Sequence, residues 1–232
     1  MKVVKVCRNF TETPSFLRET NPYILSEKES SDLELKTHLF NQATQNFPLS
    51  LGIEASKKAR SFTLENRNDL TYGEVNFRSL AEVIYCLESR HGANLEQKVF
   101  YDLGSGTGKA VVAASLLKNF RKSVGIELLD PLYQISLEMQ QALERVCSSK
   151  VEFFLGDMFE LGWSEADLIL VNSTCMSMEL INKIADYSVK PGTWGITLSK
   201  SFNSSKWKQV DYSFKPMSWG TATVYMHQRV QD

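Results

Sequence analysis

Long hydrophobic runs are missing from this chain, and so is any surplus of charge. No segment reaches the ~20 apolar residues that a membrane-spanning helix requires, and the opening "MKVVKVCRNF" has neither the apolar core nor the small-residue cleavage site of a secretory leader. The expected chain is neither membrane-embedded nor secreted. Its 26 Lys and Arg stand against 27 Asp and Glu, a formal net charge of -1. No global positive field therefore draws it to nucleic acid or anionic lipid. Cysteine and histidine are scarce and scattered: Cys7, Cys86, Cys147 and Cys175 make no CxxC pair, and His38, His91 and His227 lie far apart. That spacing predicts reduced thiols and no metal site. What is present, 43% hydrophobic and 23% charged residues over 232 positions, suffices for one well-buried core.

Residues 1–70 read as a partly helical lead-in, mixed in charge and interrupted by Pro14, Pro22 and Pro48, with a helix expected after Asp32. From residue 71 to 232 the pattern sharpens into one domain. "NFRSLAEVIYCLESRHG" places Phe77, Leu80, Ile84 and Leu87 on one helical face that stops at His91-Gly92. A strand "KVFYDLG", a helix "GKAVVAASLLKNF" and a strand "KSVGIELL" follow. Pro131 opens a long helix with Leu132, Ile135, Met139 and Leu143 on one face. Strands "VEFFLGDM" and "ADLILVNS" come next, then a helix "ELINKIADYSV" closed by Lys190-Pro191-Gly192, and a strand "TWGITLSKSF". From "WKQVDYSF" to "GTATVYMHQRV" the alternation predicts an antiparallel pair. The expected fold is α/β: a doubly wound, seven-stranded, mostly parallel sheet with a C-terminal antiparallel hairpin, preceded by a small, mostly helical segment.

In such a sheet a ligand lies beyond the carboxyl ends of the strands, against the first strand–helix turn. Here that turn is Gly104-Ser105-Gly106-Thr107-Gly108, GxGxG; the dinucleotide pattern GxGxxG would need glycine where Lys109 stands. Acids mark three consecutive strand tips. Asp102 ends the first strand, where it would bond near a cofactor's amino-acid end or through water. Glu127, 19 residues past Gly108, is placed to accept from both hydroxyls of a ribose. Asp157 is placed to accept from an adenine amine, with Met158 or Phe159 against the ring. Carboxylates without a phosphate site suit a cofactor with a ribose, an adenine and a cationic sulfonium. S-adenosylmethionine (AdoMet) is that molecule. The closing antiparallel pair likewise separates AdoMet-dependent methyltransferases from nicotinamide dehydrogenases of similar architecture. Nucleobase chemistry is disfavoured, because Asn172-Ser173-Thr174-Cys175 after the fourth strand lacks the proline and aromatic that clamp a flipped adenine. Cys175 follows threonine, where a cytosine enzyme would want a Pro-Cys nucleophile.

Together these segments resemble the non-SET histone-lysine methyltransferases named for disruption of telomeric silencing, the Dot-one-like family. Tyr72-Gly73-Glu74 resembles its cofactor-covering loop and "DLGSGTGK" its glycine motif. "GIE" with Glu127, "GDMF" with Asp157, "LVNS", "LSKSF" and the closing "SWGTATVYMH" follow in the family's order. The likeness covers residues 71–229. Ser173 and Thr174 stand where the family has asparagine and phenylalanine, and Lys109 where it has a glutamine-like residue. The closing hairpin is shorter, so Tyr225 stands alone of an expected tyrosine pair.

The resemblance implies methyl transfer from AdoMet to a lysine amine, with S-adenosylhomocysteine as product. It implies a cofactor site of Tyr72, Glu74, Asp102, Gly104, Ser105, Gly106, Gly108, Lys109, Glu127, Asp157, Met158 and Asn172, and no metal. Tyr72, Trp219 and Tyr225 would wall an apolar channel that penalises the lysine ammonium, with Asn172 orienting the amine. In-line displacement needs alignment and no dedicated base. The implied partner is a protein, with a nucleosomal histone as the family's target and the nucleus as its compartment, or the cytoplasm for another protein. The basic clusters "KKAR", "KNFRK" and "SKWK" are modest, so contact with nucleic acid is expected to be weak or partner-assisted. Two alternatives stay open: a methyltransferase for a non-histone protein or small-molecule amine, and a silent AdoMet-binding module.

Overall fold

The structure, a computed structural model, describes residues 23–61, 70–148 and 150–230; Cys7, Pro14 and Pro22 lie outside them. In chain order the elements are α1 (Glu27–Thr44), α2 (Leu49–Ser61), α3 (Phe77–His91), β1 (Val99–Leu103), α4 (Lys109–Leu117), β2 (Lys122–Glu127) and α5 (Asp130–Glu144). Then come β3 (Val151–Leu155), α6 (Met158–Leu161), β4 (Leu168–Val171), α7 (Met178–Asp186), β5 (Trp194–Leu198), β6 (Trp207–Met217) and β7 (Gly220–Arg229). The strands form one seven-stranded sheet in the order β3-β2-β1-β4-β5-β7-β6. Strands β1 to β5 pair in parallel, and β7 runs antiparallel to both β5 and β6. This is the expected doubly wound sheet with its closing hairpin.

Both faces of the sheet are covered, and side chains alternate between two cores. In β1, Phe100 joins α3, α4 and α5, while Val99, Tyr101 and Leu103 join α7 on the other face. In β4, Leu168 and Leu170 go one way, Ile169 and Val171 the other. A strand buried on both faces reads as a continuous apolar run, which is why "VFYDL" and "LILV" show no polar alternation. Helix α3 keeps its expected face: Phe77, Leu80, Ile84 and Leu87 are buried. It starts at Asn76, whose side chain accepts from the Ser79 N–H, and ends at Gly92 in the left-handed conformation.

The N-terminal helices differ from expectation. Helix α1 begins ahead of Asp32, at a capping box in which Ser26 Oγ accepts from Glu29 N and the Glu29 carboxylate accepts from Ser26 N. Helix α2 has no counterpart in the sequence reading. Leu33, Ala43 and Phe47 join the core beside α4 and α5, and Phe40 stacks on Phe77 of α3 at 4.5 Å between centroids. Such a stack adds about 0.5–1.5 kcal/mol beyond its buried area. Cys86 and Cys175 are free thiols. Among the described residues no helix is long and apolar enough to cross a membrane.

Candidate active site

The turn between β1 and α4 is held open by glycine for two reasons. Gly104, Gly106 and Gly108 have φ of 86°, 57° and 86°, which side chains rarely adopt. Space is the second. A Cβ on Gly106 would come within 2.6 Å of Tyr72 Cε2, and one on Gly108 within 2.5 Å of Phe153 Cζ. Gly106 thus receives a tyrosine ring, and Gly108 lets α4 start against β3. The Gly104 and Ser105 N–H groups donate to Ile126 O at 2.9 and 3.0 Å, and Gly106 N donates to Glu127 Oε2 at 2.7 Å.

The turn forms one wall of a cavity of about 230 Å³, to which the strand tips bring Asp102, Glu127 and Asp157 together. Glu127, 6% exposed, accepts from Leu129 N through Oε1 at 2.8 Å as well as from Gly106 N. Burial raises its pKa, and the backbone donors pull it back. Asp102 is 4% exposed, and among the described residues no donor reaches its carboxylate. Burial and the Glu127 charge push its pKa up to about 8. Asp157 caps α6 by accepting from Phe159 N at 2.8 Å, with Met158 and Phe159 on the same wall.

Tyr72-Gly73-Glu74 straps the glycine turn. Tyr72 donates its hydroxyl to Glu74 Oε1 at 2.8 Å, and the Tyr72 hydroxyl oxygen lies 2.7 Å from Thr107 Oγ1. Burial and the Glu74 charge raise the phenol's pKa. The Tyr72 ring lies between Gly106 and Gly52 of α2, where a Cβ would meet Tyr72 Cε1 at 2.2 Å. Lys109 gives its ammonium to both oxygens of Glu74 at 2.8 Å. The strap is also fixed to the β6–β7 hairpin: Glu74 N donates to Ser218 Oγ at 2.8 Å, and Ser218 N donates to Glu74 O at 3.1 Å. Trp219 backs Gly73 so closely that a Cβ there would lie 2.5 Å from Trp219 Cε3.

Asn172, just past β4, is on the cavity wall. Its Oδ1 accepts from Thr174 Oγ1 at 2.9 Å, and its Nδ2 points at Gly73 O, 3.5 Å away. Thr174 Oγ1 also lies 3.0 Å from Ser199 Oγ. Ser173 is fully buried and its hydroxyl reaches Leu198 O and Lys200 O. Ser199 carries a φ of 66°, uncommon for a residue with a Cβ.

The structure thus brings Tyr72, Glu74, Asp102, Gly104, Ser105, Gly106, Lys109, Glu127, Asp157, Met158 and Asn172 to one cavity. Gly108 lies behind it, against Phe153. Trp219 packs against Gly73 of the strap and does not line the cavity. Tyr225 is not on the cavity wall: it sits in β7 between Thr197 and Tyr212, its ring 6.4 Å from that of His227. Thr107, Ser218 and Gly52, which the sequence reading passed over, hold the strap. Lys183 of α7, also unforeseen, lines the cavity with its ammonium 3.9 Å from the Phe159 ring centre. Thr107 stands inside the glycine motif and Ser218 opens the closing "SWGTATVYMH"; Gly52 and Lys183 carry no local signal.

The cavity fits a ligand that brings donors. A nearly buried carboxylate without a donor is costly unless something supplies one, and the Lys109 ammonium at the turn is already taken by Glu74. The amine and hydroxyl groups of AdoMet would satisfy Asp102 and the rest of Glu127, and a pyrophosphate would not.

Known proteins resemble the chain over this region. The family described as "Histone methylation protein DOT1" matches residues 52–219. A protein-lysine N-methyltransferase of Saccharolobus islandicus is 26% identical over 136 residues, covering 57% of this chain and 80% of that protein. Among solved structures, an RNA methyltransferase from Salinibacter ruber in complex with S-adenosyl-L-homocysteine superimposes with a TM-score of 0.50 at 24% identity, covering 65% of this chain and 91% of the other. The tRNA methyltransferase TrmK of B. subtilis gives 0.50 at 15% identity, covering 73% and 68%. At these identities the two solved structures establish the fold. The match to the family extends from within α2 to the closing hairpin, and the chain belongs to the DOT1 family, the AdoMet-dependent protein-lysine N-methyltransferases of this fold.

Proposed function

We propose that the cavity holds AdoMet and that the amine methylated there is a lysine of a folded protein, a histone before any other. One observation supports the cofactor's placement above the rest: Asp102, nearly buried and without a donor, stands beside Glu127 at the floor of a cavity that Asn172 walls. In this reading Asp102 takes the cofactor's amino-acid end, Glu127 the ribose hydroxyls, and Asp157 the adenine amine, with Met158 against the ring. Gly104, Ser105 and Gly106 bring bare backbone alongside. Tyr72, Glu74 and Lys109 act chiefly on one another, closing the strap over the turn.

AdoMet, when bound, supplies a methyl group on a sulfonium. What the chain contributes is alignment and exclusion of water. The strap and the glycine turn shield one side of the cavity, so an arriving ammonium is desolvated and its neutral form favoured. Asn172, its Oδ1 held by Thr174, presents a fixed amide at the rim to orient that amine. Trp219 serves by backing Gly73, and we assign Tyr225 no contact with the substrate.

The family's description favours a histone. The charge balance limits how the chain would grip a nucleosome. Of the basic cluster near residue 120, Lys118 pairs with Glu88, and Arg121 and Lys122 with Glu165. Lys57 and Lys58 of α2 are exposed. Unaided affinity for DNA is therefore expected to be weak and steeply salt-dependent, and a nuclear site of action would go with a partner that supplies basic contacts. The test incubates the purified chain and labelled AdoMet with nucleosomes, free histones and lysate proteins at low and physiological salt. Label on a histone lysine supports the assignment. Label confined to a non-histone protein, with nucleosomes untouched even at low salt, removes the histone and leaves the lysine chemistry.

A further inference from the structure

Far from the cavity, the fold gathers three metal-binding side chains that the sequence keeps apart. Cys86 and His91 lie on α3, and Asp211 lies on β6. His91 Nε2 is 2.9 Å from Asp211 Oδ2, Cys86 Sγ is 3.7 Å from the same oxygen, and all three ligand atoms lie within 4.8 Å of one another. This is the only group of three such side chains among the described residues. We propose that Cys86, His91 and Asp211 form a binding site for a transition-metal ion, with Zn²⁺ the ion best matched to the ligand set.

Three features support a built site. The first is a β-bulge: the register of β6 against β7 shifts between Gln209 and Asp211. A bulge re-aims the side chain beside it, and here Asp211, 6% exposed, faces α3 rather than solvent. The second is chemistry. Thiolate, imidazole and carboxylate are the zinc donors, and three protein ligands leave a fourth position for water. With metal–ligand lengths of roughly 2.0–2.3 Å, tetrahedral ligand atoms stand about 3.3–3.8 Å apart; the Cys86–Asp211 pair at 3.7 Å is within that range, the His91–Asp211 pair must spread by about half an ångström, and the Cys86–His91 pair lies within 4.8 Å. The third is room. A cavity of about 20 Å³ lined by Cys86, Arg90, Asp211 and Lys215 adjoins the group, which suffices for one small ion or water. His91, partly exposed, gives an opening to solvent.

Charge closes the argument. Two cations, Arg90 and Lys215, line the adjoining cavity, and each is engaged by another group. Lys215 is engaged by Glu82 at 2.5 Å, and the Arg90 guanidinium lies 5.3 Å from the Tyr23 ring centre. A divalent ion would displace the thiol proton to solvent, giving Cys86–S⁻ and Asp211–COO⁻ around M²⁺ with no net charge left buried, and would accept a lone pair from the His91 imidazole. No electrons are transferred. The strap enters α3 at Phe77, and nine residues of helix place Cys86 about 14 Å further along it at 1.5 Å per residue. The ion would therefore pin α3 to the hairpin and take no part in methyl transfer.

The test uses Co²⁺ and Zn²⁺ with a chain in which Cys7, Cys147 and Cys175 are serine, leaving Cys86 as the only thiol. Co²⁺ should bind one-to-one with a thiolate-to-cobalt absorption band, Zn²⁺ should displace it, and Zn²⁺ should raise the melting temperature. Cys86→Ser should abolish the band, and His91→Gln, at a partly exposed position, should weaken Zn²⁺ binding by roughly 100-fold while keeping the AdoMet-induced thermal shift. Absence of the band at micromolar metal, or Zn²⁺ affinity unchanged in His91→Gln, overturns the proposal. The band is read on a chain with Cys86 intact, so a Cys86→Ser chain that fails to fold does not spoil the result.

Discussion

On the glycine-turn side of the cavity, polar groups are fixed yet left with capacity to bond; on the far side, past β4, they are spent on each other. Glu127 is anchored by two backbone N–H groups, and Asp102 has no donor at all. Across the cavity, the hydroxyls of Ser173, Thr174 and Ser199 bond to one another, to Asn172 or to nearby carbonyls. The lesson is a division of labour. The first wall carries an unmet electrostatic demand that only a bound ligand meets, and the second holds a single amide in one orientation. Binding should therefore reside on one side and turnover on the other.

Replacing Glu127 with alanine should break the first wall outright. It removes the acceptor of Gly106 and Leu129 together with the expected ribose contacts, so AdoMet affinity should fall roughly 100-fold or more, about 2.7 kcal/mol or above. Isothermal titration measures it, and a loss below ~5-fold would show that Glu127 only shapes the loop. Asn172→Ala addresses the second wall. Turnover should drop ~10–100-fold, about 1.4–2.7 kcal/mol of transition-state stabilisation, with AdoMet affinity kept within a few-fold. Equal losses in both would move Asn172 to the cofactor side.

Asp102→Asn sharpens the contrast through pH. Above about pH 8, where the carboxyl is ionised, AdoMet affinity should fall ~10-fold, because a charged acceptor becomes a neutral one. The carboxyl's pKa is about 8 in the fold, against 3.8 for an aspartate exposed to water. Between those values the unfolded chain is the state that has lost its proton, so the ligand-free wild type loses stability as pH rises through that window. The asparagine variant lacks this slope. Its ligand-free melting temperature should gain on wild type from pH 4 towards about 8, and parallel curves would refute the raised pKa. The smallest effect is expected at Tyr225, off the cavity wall: Tyr225→Phe should leave kcat and KM within ~2-fold. A larger loss in kcat alone would bring the β7 face into the substrate path.

Legibility followed physics that acts over short distances. The strands announced themselves as apolar runs because both faces are covered, and the strand-tip acids stood out because carboxylates seldom follow such runs. Helix α3 was readable from its spacing and its Gly92 stop. Helix α2 was not, because Gly52 in its interior reads as a breaker. Its lack of a Cβ makes sense only once Tyr72, from another segment, is seen lying against it. The early start of α1 was written in Ser26 and Glu29, a capping box that the mixed charges around it obscured. Glu74 and Lys109 stand in two separate motifs, with nothing local to show that they meet. Cys86, His91 and Asp211 read as scattered because their convergence depends on a bulge, which a period of two does not reveal. Tyr225 and Trp219 enter the site only through likeness to a family with a longer hairpin, and in this fold neither lines the cavity.

The strand order has a consequence for how the protein is made. The last strand, β7, lies inside the sheet, between β5 and β6. During synthesis, which proceeds from the N-terminus, β5 emerges with one edge unpaired and cannot complete its ladder until residues 220–229 have left the ribosome. Ser218, which ties down the strap at Glu74, emerges just ahead of them. The nascent chain can thus form β1 to β4 and the glycine turn while the strap over them has no anchor at the hairpin. Until then the exposed edge of β5, a fully buried apolar strand in the finished protein, is the surface a chaperone must guard.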